Sequence, residues 1–462
     1  MQQNNQVIDM TKGPTGRILI RFAVPMMIGN LFQQLYSVVD ASVIGRFVGG
    51  DELGGIGATG SIHFLIFSVG YGIAASVGIL VGMLVGTGER EKLTRAIYNS
   101  FYVMLGASLM ITLVGFFGAE EALSWMKTPP ENLPHAVTYL RVCLFGSAAT
   151  IFYSGISQIV RAFGDSRTPL YILILACIIN IGLDLLFVLV FHWAVFGVAL
   201  ATVLSQAIAA VLSFLAAWHY FEEFRYQRGA FQPDGTIIRR VLRLGMPMAG
   251  QNILISLSIM VLQISINGFG NLMVTAYTAI GQISNLIQQP YNSLSTAVSV
   301  FAAQNLGAGN TARIRKGLKL SLFYMLVITA AVVLAAAFFA VPLLSLFITD
   351  PAVMEIAEPA LRIVSYFYVF LGVLYVVRGT LNGVGDAFFA GLNGVTECVC
   401  RFSMAHTLPR VPAWGKFGCF LCDCFTWLIT AVISYLRFLQ GKWDPERRKK
   451  RQNPEMICDD KV

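Results

Sequence analysis

Charge is what this sequence has least of. Asp, Glu, Lys and Arg make up 13% of its 462 residues, about half the share of an ordinary soluble protein. A chain so poor in charge cannot clothe a water-exposed surface, and a hydrophobic content of 56% points to lipid contact instead. Eight cysteines are scattered, mostly within or beside apolar stretches, without the spacing of a disulfide framework. Cys419, Cys422 and Cys424 stand closest together, but no histidine lies at ligand spacing, so they read as small apolar fillers. His63, His192 and His219 also lack ligand-spaced partners, and no metal is assigned to them. No zinc motif, nucleophile elbow or phosphate loop occurs, which excludes the common hydrolases and ATP as a direct energy source. The net charge of +8 is no nucleic-acid footprint, because the basic residues sit in connections between apolar runs. No cleavable signal peptide is read at the start, where polar MQQNNQVIDMTKGPTGR leads straight into a full-length span.

What is present is a series of apolar segments, at 18–45, 58–86, 96–118, 138–160, 168–191 and 197–218, then 244–267, 275–306, 320–347, 361–381, 388–408 and 417–439. About 20 apolar residues cross a bilayer as helix. The series predicts an all-α integral membrane protein of about twelve spans. Positive charge concentrates in alternate connections, at Arg90, Lys92 and Arg95, at Arg161 and Arg167, at Arg313 to Lys319 and in the run Arg447 to Arg451. The positive-inside rule then places both termini and the middle linker in the cytoplasm of a multi-pass inner (plasma) membrane protein.

The halves repeat. RFAVPMMIGN around Pro25 returns as RLGMPMAGQN around Pro247, and RAFGDSRTP at 161–169 returns as NGVGDAFFA at 382–390. Offsets near 221 imply a duplicated six-helix unit, with both copies in one orientation and a cavity between them. The expected division is an ion-coupling bundle at 1–218, a cytoplasmic linker at 219–243, a second bundle at 244–441 and a basic tail at 442–462. The GVGD of the repeat resembles the GxGD of intramembrane aspartyl proteases. Its recurrence at Gly164–Asp165 beside basic residues marks it instead as a cytoplasmic turn in each half, and no enzyme is read.

The first span carries Asn30, Gln33, Ser37 and Asp40 on one helical face, with Tyr36 a turn before Asp40. A carboxylate at mid-membrane costs about 2.5–3.5 kcal/mol on insertion scales, so it reads as functional. The fifth span adds Asn180 and Asp184, one turn apart. With Tyr36 and Thr202 these form a candidate H⁺- or Na⁺-binding cluster at Asp40, Asp184 and Asn180, since burial and a neighbouring carboxylate favour holding a proton and the same oxygens can ligate Na⁺. The second half differs: Leu262 stands where Asp40 would fall. Gln263 in the seventh span, and Gln282 and Asn285 in the eighth, read as a wet neutral cavity wall. With Asn30, Gln33 and Ser37 they are the candidate substrate contacts. Glu397 and Arg401, four apart, can pair with each other, whereas Asp423, opposite Thr202 in the repeat, has no evident partner.

Twelve spans in two halves, the pattern P25…Q33…Y36…D40…G45 and the Gly164–Pro169 turn resemble the multidrug and toxic compound extrusion (MATE) family over about 15–443. The spacing N180-x-x-x-D184 resembles its DinF-like branch. The resemblance implies a V-shaped pair of bundles working as a monomer, without a cofactor. It implies efflux of cationic, amphipathic small molecules in exchange for H⁺ or Na⁺, with Tyr36, Asp40, Asn180, Asp184 and Thr202 lining the cation site. The alternative is a flippase for lipid-linked sugars, or a polysaccharide exporter, of related architecture. Such proteins need a basic cavity, for which Arg378 and Arg401 are the candidates.

Overall fold

A computed structural model describes residues 7–47, 50–126, 128–225, 229–412 and 414–445, with side chains described outside 35–55 and 58. Its regular structure is helical throughout these residues. The first half comprises α1 (Thr15–Phe47), α2 (Gly50–Thr87), α3 (Arg90–Trp125), α4 (Leu133–Phe145), α5 (Ser147–Ala162), α6 (Arg167–Leu185) and α7 (Ala194–Tyr220). The second comprises α8 (Gly235–Asn267), α9 (Asn271–Gly307), α10 (Thr311–Ser345), α11 (Pro351–Gly383), α12 (Ala387–Thr407) and α13 (Gly418–Gln440). Helices of 33 to 38 residues run about 50–57 Å, well past a ~30 Å hydrocarbon core. Counting α4 with α5 gives six spans per half, and the halves keep register. Phe47 and Asn267, Trp125 and Ser345, and Tyr220 and Gln440 end equivalent helices 220 residues apart. Repeat-equivalent α3 and α10 turn long apolar side chains outward, among them Leu113, Val114, Phe117 and Phe338, as lipid-facing rims do.

Three segments depart from the hydropathic reading. The fourth span is not one helix: α4 and α5 meet at Gly146 with a 52° bend. Gly146 lies tight against α7, where a Cβ would collide with Val203. The 219–243 linker is largely helix at its far end, since Asp234 accepts from the Thr236 (2.8 Å) and Ile237 (3.3 Å) amides and starts α8 at Gly235. Hydropathy finds only the buried part of such a helix, while Arg239, Arg240 and Arg243 ride its wet first turns. Finally, the tail does not begin free at 442: Trp443 is buried against Phe438, and Asp444 pairs with Arg315.

The repeated Gly-Asp turn is a helix start in both halves. Asp165 accepts from the amides of Arg167 (2.9 Å) and Thr168 (3.0 Å) ahead of α6. Asp386 accepts from Phe389 ahead of α12 and is gripped by Arg437 at 2.8 and 3.0 Å. Each carboxylate is committed to its own fold, as the turn reading expects.

The bundles meet where α2 crosses α8 and α9, and where α1 lies along α9 and α10. At the crossing of α2 with α9 backbone touches backbone: a Cβ on Gly86 would strike the Gln304 carbonyl, and one on Gly307 the Met83 carbonyl. Small residues permit such close approach in lipid. The N-terminal segment clasps the same end. Ile8 donates to Gly164 O (3.1 Å) in the first bundle, and Met10 donates to Gln304 Oε1 (3.0 Å) in the second. Gln304 returns a bond to Ala162 O (2.7 Å), and Asn305 and Arg313 both donate to Met10 O. The bundles are therefore latched on the side of the arginine-rich connections.

Candidate ion and substrate sites

Helix α6 brings Asn180 and Asp184 to one face a single turn apart, and both side chains are sealed from the surface, each 1% exposed. Neither amide atom of Asn180 has a hydrogen-bond partner among the described residues. Burying such a group unsatisfied costs about 1–3 kcal/mol, a cost a protein tolerates where a ligand or ion completes the set. Directly after Asp184 the helix widens into a π-turn at Leu186–Val190, a distortion frequent at functional sites. The chain then leaves through left-handed backbone at His192 (φ 55°) and Ala194 (φ 41°).

Helix α7 packs beside α6 and carries Thr202, whose hydroxyl donates to Val198 O at 3.1 Å. Its oxygen lone pairs stay available to a cation. Carboxylate, amide and hydroxyl oxygens are hard donors of the kind that suit Na⁺. Helix α1 lies along α6 and carries Tyr36, Ser37 and Asp40, whose side chains lie outside the described residues.

The remaining expected contacts are dispersed. Asn30 donates to Ser293 Oγ at 3.1 Å and so ties the two bundles together. Gln33 is exposed on α1, and Gln282 on α9. Gln263 donates to Asn267 within its own helix (2.9 Å). Asn285 does line a cavity, of about 450 Å³, inside the second bundle. Asn252, Gln288 and Asn292 share that wall, and Phe64 of α2 reaches it from the first bundle.

This second cavity contains what the sequence left unexplained. Asp423 is not orphaned: it accepts from Arg401 Nε (2.9 Å) and from the Tyr277 hydroxyl (2.7 Å). Arg401, 4% exposed in its side chain, also donates to Ser258 and stands 4.0 Å from Glu397. The closer partner of Glu397 is Arg378, at 3.1 Å. The expected Glu397–Arg401 pair is thus the weak middle rung of a four-charge ladder, Arg378–Glu397–Arg401–Asp423, drawn from three helices. Single-helix spacing could show only that rung. The repeat offset carried the better signal. At 221 residues it sets Arg401 opposite Asn180 and Asp423 opposite Thr202, and at 222, through Pro25 and Pro247, it sets Ser258 opposite Tyr36. A guanidinium therefore stands in the second bundle at the place that Asn180 holds in the first.

Comparison with known proteins agrees with this duplicated frame. The MatE family model matches twice, at residues 25–186 and 247–391, once in each half. The "Probable multidrug resistance protein YpnP" of Bacillus subtilis is 28% identical, covering 94% of this chain and 97% of its own. A protein of Shewanella oneidensis named as an FAD transporter is 27% identical, covering 92% and 95%. A MOP superfamily transporter from Pyrococcus furiosus shares the fold with a TM-score of 0.87 at 20% identity, covering 98% of this chain and 100% of its own. The protein belongs to the MATE family, multi-pass membrane transporters rather than enzymes, and is built as two six-helix bundles.

Proposed function

We propose that the chain is a secondary antiporter that exports cationic amphipathic compounds in exchange for H⁺ or Na⁺, working as a monomer with both termini in the cytoplasm. The observation that carries this reading is the sealed Asn180–Asp184 turn, with an amide that no described residue satisfies. Asp40, Tyr36 and Thr202 complete the cluster. Neutralising it with an entering ion rearranges the first bundle and weakens its hold on the cargo, and the coupling is reciprocal by thermodynamic necessity. The latch at the arginine-rich end supports a conformation closed to the cytoplasm.

The flippase alternative is disfavoured by the charge ladder. Arg378 and Arg401 each face a carboxylate, so the cavity lacks the excess positive charge that a pyrophosphate needs. The test is purified protein in liposomes, with ethidium as cargo and Na⁺ and H⁺ gradients imposed separately. Ethidium movement under one gradient, lost in Asp40→Asn and Asp184→Asn, is the expected result. Movement that persists in both variants overturns the assignment.

A further inference from the structure

The duplicated fold makes one surface feature twice. Where α1 of the first bundle runs along α9 and α10 of the second, an open apolar groove of about 590 Å³ is lined by Ile20, Val24 and Met27, by Leu294, and by Val327 and Ala331. Ser293 on its wall is already bonded to Asn30 and to Gln289 O. From Tyr324 to Ala335 the groove follows α10 over a rise of about 16 Å, close to the ~15 Å of one leaflet's hydrocarbon. It ends where α1 and α10 close up, since a Cβ on Gly16 would collide with the Tyr324 hydroxyl and lie 3.8 Å from Leu320. Arg17 follows Gly16 directly, and Lys316 stands one turn before Leu320. Both are exposed, and neither has a carboxylate partner among the described residues.

The equivalent seam, of α8 with α2 and α3, shows that the backbone plan does not require this groove to be wide. Repeat offsets of 222 for α1 and 221 elsewhere match Val24 and Ala331 with Met246 and Met110, and those methionines line a groove of only about 250 Å³. The same offsets match Arg17 and Lys316 with Arg239 and Arg95. There Glu91 holds Arg95 at 2.9 Å, whereas beside Lys316 the place of Glu91 is taken by Ala312. We propose that the groove between α1, α9 and α10 binds one anionic phospholipid from the leaflet on the arginine-rich side. The headgroup phosphate lies on Arg17, Lys316 and the Tyr324 hydroxyl, and one acyl chain lies in the groove against both bundles. Basic side chains at a membrane surface attract anionic headgroups, and they reach them with their stems in the apolar layer. The site is separate from the ion-coupling set and from the cavity of the second bundle, and it stands whether or not the antiport reading does.

The probes are dioleoylphosphatidylglycerol, which is anionic, and dioleoylphosphatidylcholine, which has the same chains and no net charge. Binding of the first lipid to the purified full-length protein in detergent is read by native mass spectrometry. Two basic side chains near a membrane surface favour an anionic lipid roughly 30-fold, and a preference of that order is expected in the wild type. In Arg17→Gln/Lys316→Gln most of it is lost, through weaker binding of phosphatidylglycerol alone. Val24→Met/Ala331→Met installs the side chains that the other seam already carries, so the backbone plan accommodates them. There both lipids bind more weakly and the preference remains. Glycerol phosphate, a headgroup without chains, is expected not to displace the lipid. Equal binding of the two lipids in the wild type, an unchanged preference in the glutamine variant, undiminished binding in the methionine variant, or displacement by glycerol phosphate overturns the proposal.

Discussion

Replacing Arg401 by Met tests the ladder most directly. Removing one member of a buried pair leaves an uncompensated charge and costs about 3–5 kcal/mol. Here the stranded group is Asp423, left with the Tyr277 hydroxyl alone, while Glu397 still has Arg378 at 3.1 Å. For a bundle of roughly 220 residues at ~2–4 °C per kcal/mol, the loss is about 6–20 °C in unfolding temperature. A second change should restore most of it. In Arg401→Met/Asp423→Asn the orphaned charge is gone and the amide oxygen still accepts from Tyr277, so the double variant is expected within about 1–2 kcal/mol of the wild type, because neutral replacements of buried ion pairs are often tolerated. Glu91→Gln is the control. The Arg95–Glu91 pair is exposed, and its loss should shift stability by no more than about 0.5 kcal/mol. The assay is thermal unfolding of the detergent-purified protein, followed by size-exclusion chromatography after heating. A single variant as stable as the wild type, or a double variant worse than the single, refutes the claim that Asp423 depends on Arg401.

Two further outcomes follow from groups elsewhere in the chain. Asn180→Leu, which replaces an unsatisfied buried amide with an apolar side chain of similar size, is expected to stabilise the ion-free protein by about 1 kcal/mol in the same unfolding assay while abolishing gradient-driven ethidium transport; loss of stability together with transport would show that the amide serves folding. Asp234 lies outside the membrane, and hydrogen bonds from the Thr236 amide first, and then from Ile237, hold its carboxyl below the usual carboxylate range. A depressed folded value gives stability that is present above the unfolded pKa and fades as pH falls through the folded one, so the deficit of Asp234→Ala should be constant from pH 5 to 8 and shrink below about pH 4. A deficit that grows on acidification would contradict this.

Much of the frame could be read from the sequence because lipid makes hydropathy a reliable guide to where helices lie. The expected segments at 388–408 and 417–439 differ by one residue from α12 and α13. The bend at Gly146 escaped for a physical reason: no proline announces it, and the close packing there is against a side chain of another helix, Val203. The same limit applied at the sites. Asn180 and Asp184 were legible because one helix sets their spacing. The partners of Asp423 come from α9 and α12, and nothing along α13 names them. Gln263 and Gln282, chosen for polarity on plausible stripes, turn away from the cavity that Asn285 lines, since a stripe on one helix does not say which neighbour it meets.

The two bundles share one backbone plan and differ in what occupies equivalent places, and that difference constrains how a gradient could act. On the antiport reading, the set around Asn180 and Asp184 in the first bundle is completed by an ion that comes and goes. In the second, the place of Asn180 is taken by Arg401, whose charge does not titrate in proteins and whose counter-charges, Asp423 and Glu397, are already in contact with it. Dissolving the arrangement would strand a charge in a dry interior. On the antiport reading, the rearrangement has to begin in α1 and α6 and reach the second bundle through the contacts that join them, at Asn30–Ser293 and where Met10 bonds Gln304. Duplication supplied two equivalent places, and on the antiport reading a built-in cation in one of them leaves the other for an external ion.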